Sequence, residues 1–309
     1  MGPLLFNIFV NDLVYVLQDK CSLYNYADDN TIGHSHHSIT VLADTLEDSS
    51  EEAVHWFNDN HMKANAAKFQ ALVACSGSRM ANITFTVSGE EITPEKSVKL
   101  LGVHIDDKFH FEKHISNLCA KAARQINAMA RISKYLTIEG RFNIYNAFIM
   151  SNFMYCCNVW HFCHTAGTFK LENIHKRALR VVLNDYESPY SKLLETAKRP
   201  SLYLYRLRRL MIETYKSINK INPEFIQELF VENSHDYQTR NGHTLQQPKM
   251  NTSSYGLNSF KYQCSKLWND LPTDIKNSYS VEEFKSHIDK WQGPPCACGF
   301  CTACRIERM

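Results

Sequence analysis

Apolar positions along this chain follow two spacings, and the change between them falls near residue 110. Before it, short alternating runs are mixed with helical segments; after it, the three-to-four-residue helical spacing persists almost to the end. Residues 2–13 form an apolar segment with helical spacing. Leu23-Tyr24-Asn25-Tyr26 and Thr31-Ile32 are two strand-like runs facing each other across Ala27-Asp28-Asp29, which predicts a hairpin with an acidic tip. Residues 38–63 predict a helix with Val41, Leu42, Leu46, Ala53, Val54 and Phe57 on one face. Residues 71–74 are strand-like. Ile83, Phe85 and Val87 alternate as a strand that turns at Ser88-Gly89, and residues 97–105 return as one further strand.

From His114 the reading is helical. Ile115, Leu118, Cys119, Ala122, Ile126 and Met129 share a face, and residues 138–152 repeat the pattern with Phe142, Tyr145, Phe148 and Ile149. A helix at 169–183 points Leu171, Ile174, Ala178 and Val181 inward, with Lys170, His175, Lys176, Arg177 and Arg180 mostly on other faces. A helix follows Pro200 as far as Asn219, and Asn222-Pro223 starts a short one ending near Phe230. Residues 233–258 are polar and turn-rich, a linker in which 243–248 is a candidate short strand. Residues 260–271 restore an apolar pattern with Trp268 buried. Ser280-Val281-Glu282-Glu283 is a capping box for a last helix ending near Trp291. Strands first and helices afterwards indicate an α+β unit followed by a helical domain. No internal repeat is visible.

Composition adds a charge asymmetry. The net charge of +2 conceals 7 basic against 15 acidic residues in 1–110, a net of −8, and 18 against 7 in 111–220, a net of +11. Residues 221–309 are nearly balanced, 9 against 10. A basic helical block is a candidate grip on phosphates, and equally a solvated face that compensates the acidic first third. No run approaches 18 apolar residues, which argues against a transmembrane helix. A cationic leader and a small-residue cleavage site are both missing, which argues against secretion. Phe6 stands where a myristoylation signal needs Ser or Thr. Eleven scattered cysteines suit reduced thiols, so a nuclear or cytoplasmic protein is expected.

Asp28 and Asp29 carry the candidate chemistry. Carboxylates fixed at a hairpin tip can hold a divalent cation, and two metals roughly 4 Å apart are what a phosphoryl transfer uses to clamp its attacking and leaving oxygens. Taken alone the pair also reads as an ordinary polar turn, since Asp is common in turns.

In order and spacing, four blocks resemble the reverse transcriptases of LINE-like (non-LTR) retrotransposons, especially the jockey-like group. They are residues 2–13, Tyr26-Ala27-Asp28-Asp29, the run 56–70 leading into 71–74, and residues 98–106. Residues 141–147 and 155–160 look like that family's thumb, so the resemblance covers roughly residues 2–290. It implies an α+β fold: a partial polymerase palm, an antiparallel sheet with the acidic hairpin, over residues 1–110. A helical thumb-like basic domain over 111–232, a C-terminal extension over 233–292 and a Cys-rich tail over 293–309 would follow.

The implied activity is RNA-directed DNA synthesis with Mg²⁺, Mn²⁺ being a substitute, on an RNA template and a DNA primer. Asp28 and Asp29 would be metal ligands. Tyr26 would line the nucleotide site or simply pack. Lys68 matches a lysine that protonates the leaving pyrophosphate, or is a plain exposed lysine. Arg177, Arg180, Arg206, Arg208 and Arg209 are the candidate phosphate contacts. Cys296, Cys298, Cys301 and Cys304 could hold Zn²⁺, although their spacing is poor for it and an oxidisable tail is the competing reading. The family carries its fingers and a further metal-binding Asp ahead of the first block. The chain is therefore expected to be a C-terminal part, inactive alone, or a non-catalytic nucleic-acid-binding remnant.

Overall fold

The computed structural model describes residues 1–75, 83–233, 244–294 and 306, apart from the side chains of 253 and 254. The chain divides into two compact units, Met1–Val98 and Lys99–Met309.

In the first unit, α1 (Gly2–Val10) and α2 (Leu13–Leu17) lead into the hairpin of β1 (Ser22–Tyr26) and β2 (Asp29–Gly33). Helix α3 (Ile39–Asp59) follows, started by Ser38, whose hydroxyl accepts from Val41 N–H. It ends where His61 turns left-handed at φ 57°. The core is thin: Val10, Leu13, Leu17 and Ala53 are buried, with Leu23, Ile32, Trp56 and Phe57 packed against them. Of the six positions expected on the inner face of α3, only Ala53 is fully buried. The hairpin β3 (Phe85–Val87) and β4 (Glu90–Ile92) turns at Ser88-Gly89, both with positive φ. It is pinned to α3 by carboxylates: Glu47 accepts from Thr86 N–H at 2.7 Å and Glu51 from Ser88 N–H. Residues 71–75 are not a strand. They bury Val73 and offer Ala71 C=O to Glu95 N–H at 2.8 Å.

The expected single strand at 97–105 is a hairpin instead. β5 (Ser97–Leu100) and β6 (Val103–Asp106) are separated by Leu101 and Gly102 at φ 45° and 88°. Two consecutive left-handed residues reverse the chain, and glycine adopts that conformation without a Cβ clash. Tyr155 holds the turn, its hydroxyl donating to Leu101 C=O at 2.6 Å. The described strands therefore form three separate two-stranded pairs, not the one sheet expected.

The rest is helical. Asp106 accepts from the N–H groups of Lys108, His110 and Phe111 and so orders the entry to α4 (Glu112–Ile132). Five of its six expected inward residues are buried and Cys119 is partly buried; His114 joins them. α5 (Ile138–Ile144) passes through a π-helical segment, Tyr145–Met150, into α6 (Ser151–Met154). A wider π turn shifts the phase of all that follows. Tyr145, Ile149, Met150 and Phe153 are buried as a result, whereas Phe148, expected inside, is 60% exposed.

α7 (Cys157–Trp160), α8 (Thr165–Leu183), α9 (Tyr190–Ala197) and α10 (Leu202–Ile218) complete the central layer. After the short α11 (Glu224–Gln227), which buries no residue fully, α12 (Phe260–Asn269), α13 (Thr273–Lys276) and α14 (Val281–Ile288) share the same core. Tyr215 of α10 stacks on Phe284 of α14 at 4.3 Å, with Trp268 of α12 beside them. Of the expected strand at 243–248, the described part makes a single bridge, Leu245 to Glu232.

A chain of polar groups runs through this apolar interior. Tyr145 O–H donates to His175 Nε2 at 2.6 Å, His175 Nδ1–H to Tyr190 O at 2.6 Å, and Tyr190 O–H to Glu172 Oε2 at 2.5 Å. These directions are forced, because ionised Glu172 can only accept and one proton sits on the neutral imidazole. Burial holds His175 at about 3. Burial also raises Glu172, against the donors and the Arg206 charge that favour its ionised form. Glu172 accepts in addition from Leu202 and Tyr203 N–H, so it caps α10 across helices.

We expect Glu172→Ala to lower the unfolding free energy by about 3 kcal/mol, read from urea midpoints, since two N–H groups and a hydroxyl lose their acceptor inside the core. An unchanged midpoint would remove this carboxylate from the account of the fold. Acid should act through the histidines. The unfolded chain protonates His175 near pH 6.5 but the native one only near about 3, and burial lowers His104, His114 and His161 as well. Their contribution is full above pH 6.5 and lost as pH falls; for His175 the loss is about 1.4 kcal/mol per pH unit down to about pH 3. The raised Glu172 opposes this with one proton only. Urea titrations at successive pH values should show stability falling below neutrality, with a flatter profile for His175→Gln.

Candidate functional site

The acidic hairpin owes its geometry to its own register. Leu23 pairs with Ile32 on the face turned to the small core, while Tyr24 with Thr31 and Tyr26 with Asp29 occupy the opposite face. Tyr26 and Asp29 are therefore direct neighbours on the open side, and Ala27-Asp28 form the two-residue turn. Ala27 has φ 53° and Asp28 is not left-handed, the pattern of a type II′ turn, where glycine is the usual first residue. An alanine there stores about 1 kcal/mol of backbone strain. Tyr26, Ala27, Asp28 and Asp29 are all exposed. Asn30 braces the turn by donating from Nδ2 to the Asp28 carbonyl at 3.4 Å.

Oxygen donors of this kind suit Mg²⁺ or Mn²⁺. They do not make a complete site: among the described residues no three His, Cys, Asp or Glu side chains converge on a common point for a metal. No catalytic step through a metal follows from the residues present. Cys296, Cys298, Cys301 and Cys304, the candidate zinc ligands, lie outside the described residues. Lys68 is exposed on a short 3₁₀ turn, Ala66–Lys68, and forms no ion pair among the described residues.

The five arginines separate. Arg177 is exposed and bonds Asn127, Arg209 is exposed, and Arg180 is half-buried. Arg206 and Arg208 belong to the interior, which removes both from any contact with a nucleic-acid backbone. Arg206 has no exposure. Its Nε donates to His161 Nδ1 at 3.3 Å and its guanidinium lies 5.0 Å from the centre of the Trp160 ring. Arg208 donates from Nε and Nη2 to Trp291 C=O at 3.0 and 2.7 Å, fastening α10 to the chain after α14. Their place on the inner face of α10 lay in its spacing, since Leu202, Leu210 and Tyr215 flank them at helical intervals. The buried His161 and Glu172 escaped the sequence reading, and His175, expected mostly on an outer face, is buried. Only the three-residue interval between Glu172 and His175 hinted that they share a face.

Similarity to known proteins can now be set beside this geometry. Residues 1–105 match the family model for reverse transcriptase (RNA-dependent DNA polymerase). The acidic hairpin lies inside that match. The chain is also 24% identical over 195 residues, 58% of its length, to the RNA-directed DNA polymerase from mobile element jockey of Drosophila melanogaster. It is 21% identical over 201 residues, 59% of its length, to the protein of the same name from Drosophila funebris. It spans about a fifth of the length of each, 20% and 21%. No solved structure matches it. These similarities relate the first third of the chain to reverse transcriptases, and a longer part of it to the two jockey polymerases. No helix among the described residues is long and apolar enough to cross a membrane.

The two classes of arginine should separate in stability measurements. Arg209→Gln should leave the unfolding free energy within about 0.5 kcal/mol of the parent. Arg206→Gln should cost about 3 kcal/mol, because it abandons the Trp160 face and the His161 acceptor inside a packed core. Equal effects would place Arg206 at the surface.

Proposed function

We propose that this chain is the palm-to-thumb part of the RNA-directed DNA polymerase of a non-LTR retrotransposon. The carrying observation is the exposed hairpin that sets Tyr26 and Asp29 side by side next to Asp28, within the segment that matches reverse transcriptases. In this reading Asp28 and Asp29 supply carboxylates for the divalent cation, Tyr26 borders the nucleotide and Lys68 faces the departing pyrophosphate. Bound metal would stabilise the charge that develops on the transferred phosphoryl group. Arg177, Arg180 and Arg209 are the remaining surface contacts for template and primer phosphates.

The chain alone is proposed to be inactive, because two carboxylates do not complete a two-metal centre and no third donor joins them among the described residues. A further polymerase segment would supply the missing donor. The apolar surface of the first unit suits such a neighbour: Leu4, Leu5, Ile8 and Phe9 on α1 are 45–64% exposed, and Val10 alone is buried there. A helix that is apolar on nearly every side is normally covered. The second reading, a non-catalytic nucleic-acid-binding protein, is favoured by the same incomplete metal set together with the surface arginines.

Primer extension on an RNA template tests the first reading, using the chain alone and the chain joined to its upstream coding sequence. The chain alone should be silent. The extended protein should polymerise, and Asp28→Ala should reduce that activity by about 1,000-fold or more. Polymerisation that survives Asp28→Ala would sink the assignment. If the extended protein is silent too, yet binds an RNA–DNA duplex in a salt-dependent manner weakened by changing Arg177, Arg180 and Arg209 to Gln, the binding reading stands.

A further inference from the structure

The hairpin with the acidic tip carries a different set of donors at its base. Three histidines fall within four residues in Gly33-His34-Ser35-His36-His37, between the end of β2 and the start of α3. Imidazole nitrogen suits Zn²⁺, Ni²⁺ and Cu²⁺, whereas Mg²⁺ and Mn²⁺ prefer carboxylate oxygens such as those at the tip. The two ends of the hairpin are about 14 Å apart, since a strand rises roughly 3.4 Å per residue and β2 runs from Asp29 to Gly33. One ion cannot serve both.

The first two rings are held beside each other. The centroids of His34 and His36 are 6.3 Å apart with planes within 14°, and those of His36 and His37 are 6.4 Å apart. With metal–nitrogen bonds of about 2.0–2.1 Å, two imidazoles on one tetrahedral ion stand roughly 5 Å apart, centre to centre. His34 and His36 are therefore close to the spacing an ion requires, and exposed side chains change rotamer within nanoseconds. Among the described residues no three donors converge on one point. The pair is accordingly the capturing unit, and water or His37 completes the shell.

The backbone already orients His36. Its Nδ1 accepts from Ser38 N–H at 3.0 Å and lies 3.2 Å from Ser38 C=O. In the other tautomer the same nitrogen donates to that carbonyl, which leaves the Nε2 lone pair free. Donation of the second ring N–H to a backbone carbonyl is the usual support of a metal-binding histidine. His34 is half-buried while His36 and His37 are exposed, so an ion reaches the group from solvent. The positive end of α3 opposes a cation by no more than about 1 kcal/mol, and the net charge of −8 over residues 1–110 favours one.

We propose that His34 and His36 form a cation site at the base of the hairpin, one that takes Zn²⁺ and its imidazole-binding neighbours in preference to Mg²⁺. The ion is held by Nε2 of His36, whose Nδ1–H turns to Ser38 C=O, and by one ring nitrogen of His34. Bound there, it ties down the connection from β2 to α3. The site stands independently of the polymerase reading, since it uses neither Asp28 nor Asp29.

The test titrates Zn²⁺ into the full chain in excess Mg²⁺ and follows the imidazole nitrogens by ¹H–¹⁵N NMR. That readout reports each histidine separately, so zinc taken up by thiolates elsewhere does not imitate the result. The His34 and His36 ring signals should move together and saturate, with Nδ1 of His36 as its protonated nitrogen, and Mg²⁺ alone should move neither. His34→Gln should abolish the shift at His36, and His36→Gln the shift at His34. Neither residue belongs to the small core, and the exposed His36 keeps the test open should His34→Gln disturb the hairpin. No saturable shift at either ring, an equal shift with Mg²⁺, or a His34 shift that survives His36→Gln would overturn the proposal. None of these outcomes bears on primer extension, so the two readings fail separately.

Discussion

The carboxylate of Glu172 sits with no solvent exposure where α8, α9 and the start of α10 meet, and much of the helical unit is arranged around satisfying it. A buried anion without donors would be strongly destabilising. Three donors reach it, from the Tyr190 hydroxyl and two backbone N–H groups, and Arg206 adds a neighbouring positive charge. Because the backbone donors are the first N–H groups of α10, the carboxylate fixes where that helix starts and which way it points. Register along α10 then follows, including the inward placement of Arg206 and Arg208. The polar chain through Tyr190 and His175 to Tyr145 reaches the π-helical segment, so the phase change there is tied to the same group.

The two units rest on different foundations. The helical unit has a continuous core that includes three tryptophans, Trp160, Trp268 and Trp291, and polar links joining its early and late helices. The first unit buries few side chains and leaves much of α1 open. Its acidic hairpin is nevertheless well defined, because five paired positions and one short turn hold it locally. Strain at Ala27 is tolerated at this tip because the paired strands on either side hold the turn.

Much of the architecture was legible in the residues. The acidic hairpin, the β3 strand, the α4 face and the last helix with its Ser280 cap all lie where spacing and local chemistry put them. Each of these is decided within a few residues: alternation sets a strand, and a hydroxyl three residues before an N–H sets a cap. Failures came where distant groups intervene. Residues 97–105 fold back because Leu101 and Gly102 turn left-handed and Tyr155 braces them, 54 positions away in sequence. Phe148 faces outward because a π turn shifts the phase of its helix. His175 was assigned to an outer face because a histidine flanked by Lys176 and Arg177 looks solvated until its partners Tyr145 and Tyr190 are known.

The same division governs the sites. The sequence by itself determined that two carboxylates stand at a hairpin tip, since turn chemistry and alternation are local properties of the chain. It also determined which third of the molecule is basic. Only the tertiary structure decided which arginines remain at the surface, for charge can be counted in a sequence but burial depends on what packs opposite. Only the tertiary structure, too, paired His161 with Arg206 across 45 residues and so left the ring's other nitrogen buried without a partner. Local residues set the shapes of the elements; long-range packing set which of their polar groups lack partners, and unpaired groups are where a ligand can act.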